Sequence, residues 1–192
     1  MKRSLGFIIL VVSGAVVFTA YGGAGGGEAA RFNSPYGITT DGTNIYVADS
    51  NNSTIRKILI STGAVTTIAG TAGIAGATDG TGAAARFNHP FGITTDGKNL
   101  YVADSFNHAI RKIVISTGAV TTIAGTAGGV GTTDGTGAAA RFYYPYGITT
   151  DGTNLYVADS GNHTIRKVVI ASRVVSTIAG KAGSIGSEDA SQ

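Results

Sequence analysis

The sequence predicts an all-β protein made of three copies of one four-stranded unit, and three observations predict it. The phrase "ARF" recurs so that Arg31, Arg86 and Arg141 stand 55 residues apart (86 − 31 = 141 − 86 = 55). Every aspartate obeys the same interval: Asp41, Asp96 and Asp151, then Asp49, Asp104 and Asp159, then Asp79, Asp134 and Asp189. Within each unit, short runs rich in Ile, Val, Thr and Tyr alternate with glycine-bearing turns, and no helical periodicity runs beyond the N-terminal segment.

In the middle copy the strands are "FGITTD" (91–96), "NLYVADS" (99–105), "AIRKIVIS" (109–116) and "AVTTIAG" (119–125). Asp96-Gly97 and Thr117-Gly118 are hairpin signals, because glycine reaches positive φ without a Cβ clash. Four strands with "IVI" and "VTTIA" carry apolar side chains on both faces, so neighbouring units must cover them. Radial stacking of such sheets is a β-propeller. The expected blades span about 35–70, 90–125 and 145–180, within a repeat region of 29–192.

The 192 residues include 30 glycines and no cysteine, so neither disulfides nor thiolate metal sites contribute. The net charge of +3 does not indicate nucleic acid: Lys2 and Arg3 sit at the start, and the 14 basic groups less these two leave 12 against 11 acidic. Phosphate binding needs a concentrated basic face. Residues 1–20, "MKRSLGFIILVVSGAVVFTA", have the layout of a signal peptide: a basic start, an apolar run from Leu5 to Phe18, then small residues. That run is shorter than the roughly 20 residues of a membrane span. Export to the periplasm, the envelope or the medium of a bacterium is therefore expected. Tyr21 stands where a lipoprotein signal carries cysteine, so no lipid anchor can form, and residues 21–28 are a glycine-rich tether.

"PYGITTDGTNLYVADSGNHTIRKV" (145–168) resembles the NHL repeat, with its Pro-x-Gly-Ile opening, Asn-Leu-Tyr-Val-Ala-Asp-Ser strand and Asn-His-x-Ile-Arg-Lys end. "IAGTAGGVGTTDGTGAAARF" (123–142) resembles the linker of long-period NHL proteins of bacteria and plants. The resemblance covers residues 29–192 and implies a β-propeller, commonly six-bladed, that works mainly as a binding platform. Three blades are too few to close a ring of the usual four to eight or so. Residues 28–192 are three whole periods (3 × 55 = 165), with Glu28 in the register of Ala83 and Gln192 in that of Gly137. A head-to-tail homodimer closing a six-bladed ring is one expectation; a truncated propeller fragment without independent function is the other.

Candidate chemistry is sparse. His163 lies between Asp159 and Arg166, but its equivalents are His108 and Ser53, so no imidazole chemistry operates in every blade. Asp49, Asn52, Arg56, Asp104, Asn107, His108, Arg111, Asp159, Asn162, His163 and Arg166 are read as a structural motif. In it, Asn52, Asn107 and Asn162 fix the turn between second and third strands. The aspartates cap that turn or pair with an arginine. Phe32, Phe87 and Phe142 are core plugs. The loops "RFNSPY", "RFNHPF" and "RFYYPY" diverge most, and divergent loops on a repeated scaffold are where specificity sits. Ser34, Tyr36, His89, Phe91, Tyr143, Tyr144 and Tyr146 are accordingly the ligand-binding candidates.

"GTGAAA" (80–85 and 135–140) fits a loose dinucleotide pattern without the required strand and helix. No cofactor is expected. Asp79, Asp134 and Asp189 are weak Ca²⁺ candidates, better read as local turn formers. The expected function is an exported, non-enzymatic module binding a protein or glycan through its loops. The alternative is a lyase or lactone hydrolase like those on related propellers, whose metals are held by His and acidic side chains from several blades. Asp49, Asp104 and Asp159 are the only candidates for that role.

Overall fold

The computed structural model describes residues 6–12, 15–21 and 30–189. A hairpin of β1 (Gly6–Val12) and β2 (Ala15–Tyr21) forms a sheet of its own. It falls on the expected leader and on Tyr21, the first tether residue; residues 1–5, 13 and 14 of the leader and 22–28 of the tether fall outside the described residues. No helix among the described residues is long and apolar enough to cross a membrane.

The remainder is three antiparallel blades. The first comprises β3 (Pro35–Thr40), β4 (Asn44–Asp49), β5 (Thr54–Leu59) and β6 (Ala64–Ala69). A two-residue strand, β7 (Gly80–Thr81), precedes the second blade of β8 (Pro90–Thr95), β9 (Asn99–Asp104), β10 (Ala109–Val114) and β11 (Ala119–Gly125). Likewise β12 (Gly135–Thr136) precedes β13 (Pro145–Thr150), β14 (Asn154–Asp159), β15 (Thr164–Val169) and β16 (Val174–Ala179). The strands match the sequence expectation. The small ones do not: "GT" is part of the linker, yet β7 pairs with β11 and β12 with β16, so each linker hydrogen-bonds to the last strand of the blade it leads into.

The period-2 alternation explains where the core sits. Along β9, Leu100 and Val102 point to one face and join Tyr46, Ala48 and Ile55 of the first blade. Tyr101 and Ala103 point to the other and join Leu155, Val157 and Val168 of the third. The apolar cores thus lie between blades, and among the described residues only the middle blade is covered on both faces. At the first strands the blades approach through glycine: a Cβ on Gly37 would come within 2.3 Å of the Phe91 carbonyl oxygen, and one on Gly92 within 2.2 Å of that of Tyr146. This is the physical content of the Pro-x-Gly-Ile phrase.

Candidate functional site

Each blade is organised around a buried carboxylate. Asp104 ends β9, fully buried, and accepts the Asn88 backbone N–H at 2.8 Å, Asn107 Nδ2 at 2.8 Å and Arg111 NH1 at 2.7 Å. Asp159 repeats this with Tyr143 N, Asn162 and Arg166, and Asp49 with Asn33 N, Asn52 and Arg56. Burial pushes Asp104 up to about 6 against the opposing pull of Arg111. The three carboxylates are each engaged by the arginine and asparagine of their own blade. Among the described residues no three His, Asp or Glu side chains converge on a point where an ion could be held.

The asparagines reach further than the local turn expected of them. Asn107 Nδ2 also donates to the Gly76 carbonyl at 2.7 Å and Asn162 Nδ2 to that of Gly131 at 2.6 Å, pinning the incoming linker. Asp79 and Asp134, read as turn formers or weak calcium ligands, are interstrand clasps. Asp79 pairs with Arg111 NH2 at 2.8 Å and accepts the Thr122 backbone and hydroxyl at 3.0 Å each. Asp134 does the same to Arg166 and Thr177. Asp189 is exposed and makes no such contact among the described residues. Phe87 and Phe142 are fully buried beneath Arg111 and Arg166, whose guanidinium carbons lie 5.1 and 5.0 Å from the ring centroids.

These clamps position the divergent loops. Ser34, His89 and Tyr144 have left-handed backbones (φ 51°, 47° and 49°), costly for residues with a Cβ. Each follows directly on the residue whose N–H the buried aspartate holds, and the strained turn swings the side chains onto one end of the blades. There Tyr36 and Phe91 meet edge-on at 4.6 Å, Phe91 and Tyr146 stack at 4.5 Å, and the three glycines beside them complete a cavity of about 280 Å³. His89 stacks on Phe106 at 4.4 Å, Tyr144 meets Phe106 edge-on at 5.2 Å, and Tyr143 lies 4.7 Å from Tyr144. Phe91 and Phe106, 6.3 Å apart, join the two groups into one aromatic tract crossing all three blades. Ser34 stands outside it, accepting from Asn51 at 3.0 Å.

Phe106 is the member that sequence reasoning missed. Its equivalents are Asn51 and Gly161, so the divergence that singled out position 89 marks position 106 equally. His108, expected to be structural, links blades: its Nδ1 lies 3.2 Å from the Tyr144 N–H, which requires a neutral ring there. Burial holds its pKa below 6.5, with Asp159 opposing. A depressed histidine pKa gives stability that is complete above the unfolded value and lost as pH falls through the folded one. The stability difference between the native chain and His108→Asn is therefore expected to shrink between pH 7 and 5 in urea titrations; a difference constant with pH would contradict the neutral-acceptor role.

At the opposite end, Asp41, Asp96 and Asp151 brace the β-hairpin turns. Tyr46, Tyr101 and Tyr156 donate to their carboxylates at 2.8–2.9 Å. Burial and the Asp41 carboxylate push Tyr46 up to about 12.

With blade geometry and repeat chemistry in view, similarity to known proteins decides the family. NHL repeat-containing protein 2 of Homo sapiens is 35% identical over 163 residues, covering 78% of this chain. The three units are NHL repeats. The chain spans 22% of that relative's length. No family model matches. Among solved structures, an auxiliary nutrient binding protein from Bacteroides thetaiotaomicron is 26% identical with a TM-score of 0.59, covering 73% of this chain and 36% of that one. Virginiamycin B lyase from Staphylococcus aureus, 18% identical with a TM-score of 0.52, covers 86% and 45% respectively and shares the fold alone. These NHL blades are thus parts of a β-propeller architecture.

Proposed function

We propose that the chain is an exported, non-enzymatic NHL binding module that holds a glycan or protein segment on the aromatic tract. The observation that carries this reading is the continuity of Tyr36, Phe91 and Tyr146 across three blades, with Tyr36 64% and Tyr146 38% exposed. Exposed, mutually braced aromatic rings offer large contact area at low entropic cost, and their faces suit the apolar faces of sugar rings. Similarity to a nutrient binding protein supports a binding role. Engagement of Asp49, Asp104 and Asp159 by arginine and asparagine supports a non-enzymatic one. Export rests on the leader-like residues 1–20.

The test is calorimetric screening of oligosaccharides and peptides against the exported protein, followed by Tyr36→Ala and Tyr146→Ala. Each substitution is expected to weaken binding about tenfold or more, the effect of losing an aromatic anchor. Binding indifferent to both, or turnover of a lactone or peptide-derived substrate, would overturn the proposal.

A further inference from the structure

The clasp described above is complete in two blades and half-made in the first. Arg111 and Arg166 each use NH1 on the aspartate of their own blade and NH2 on a linker carbonyl and a linker aspartate. Arg56 uses NH1 on Asp49 and the Arg31 carbonyl, while its NH2 makes no hydrogen bond among the described residues. Its side chain is 15% exposed, against 1% and 0% for the other two. In the 55-residue register the place of Asp79 and Asp134 is taken ahead of the first blade by Ala24, which carries no acid.

The acid in that register is Asp189, exposed beyond the third blade. Gly186 stands in the register of Gly76 and Gly131, whose carbonyls hold Asn107 and Asn162, whereas among the described residues the Asn52 side chain donates to Asp49 alone. The sheet faces repeat this complementarity. Ile165 and Ile178 are 40% and 49% exposed, although the equivalent Ile110 and Ile123 are 0% and 4% exposed under the next blade. On the other open side Ile38 is 65% exposed, and its equivalent Ile93 is 5%. Ser105 Oγ donates to the Pro145 carbonyl of the following blade, and the matching Ser160 is exposed with no such partner among the described residues.

We infer that a second copy of this chain docks its first blade on the third blade, and that Asp189 of each copy completes the Arg56 clasp of the other. Asp189 takes Arg56 NH2 together with the backbone and hydroxyl of Thr67, the equivalent of Thr122 and Thr177. Gly186 takes Asn52. The contact is head-to-tail, so it must either close or propagate. Two copies of these three blades make six, within the four to eight or so that closed rings hold. The inference does not depend on which ligand the aromatic tract binds.

The cysteine-free sequence makes the test direct. Full-length chains carrying Thr67→Cys are mixed with chains carrying Asp189→Cys and oxidised mildly. A single chain with Asp79→Cys and Thr122→Cys reproduces the same contact internally and calibrates the yield. The mixture is expected to give a disulfide-linked pair of chains at a yield comparable to that control, and neither variant alone should. Asp189→Lys and Ile165→Glu, both at exposed positions, should each raise the dimer dissociation constant about 30-fold or more. Absence of the cross-link while the internal control forms would overturn the inference. So would a dimer whose affinity ignores both substitutions, which would have to assemble through another surface.

Discussion

Arg111→Ala is expected to cost about 3–5 kcal/mol, the usual consequence of stranding a buried carboxylate. Arg111 is 1% exposed and ties Asp104, Asp79 and the carbonyls of Arg86 and Thr78 into one junction of blade and linker. Its removal leaves Asp104 buried with only the Asn88 N–H and Asn107, and raises further a carboxyl that burial already pushes to about 6. A carboxyl raised above its unfolded pKa contributes stability below that value and loses it as pH rises through the folded one. The deficit of the variant should therefore be larger at pH 8 than at pH 5, measured by urea unfolding. Arg111→Lys keeps the charge but not the fork that spans two carboxylates, and should fall between alanine and the native chain. An Arg111→Ala deficit below about 1 kcal/mol at neutral pH would place the blade's stability elsewhere.

Phe142→Ala is expected to cost about 3–5 kcal/mol by the cavity it leaves between the second and third blades. The ring is fully buried in that core, and Arg166 lies on its face. Phe106→Ala is the contrasting change: 40% exposed within the aromatic tract, it should leave the melting temperature within about 2 °C while affecting ligand binding. Equal thermal losses for the two would contradict the division between interblade core and exposed tract.

The blades were legible because their signal is local and repeated: alternation in "NLYVAD", Asp-Gly turns, and three copies in register. What escaped was contact at long range. Asp79 reads locally as a turn residue, since nothing nearby announces that its partners Arg111 and Thr122 lie 32 and 43 residues on. The same distance hid the linker strands, because two residues of "GT" carry no periodicity and acquire strand geometry only from β11 and β16. Asn107, expected to serve its own turn, bonds Asp104 there and in addition spans 31 residues back to Gly76. In the candidate site, divergence among copies selected six of the rings in the tract. It selected too narrowly, leaving out Phe106 on the facing loop, which touches His89 and Tyr144 only after the left-handed turns at 89 and 144 have aimed those side chains.

Among the described residues the middle blade is covered on two faces and the first and third blades on one. Sedimentation equilibrium of the full chain measures whether the open faces find each other. A single species of twice 19.2 kDa, persisting on dilution to about 1 μM, is the expected result. A species of 19.2 kDa at about 100 μM would contradict it, since blades with exposed Ile38, Ile165 and Ile178 would then be stable in water without the neighbour their sequence is built to meet.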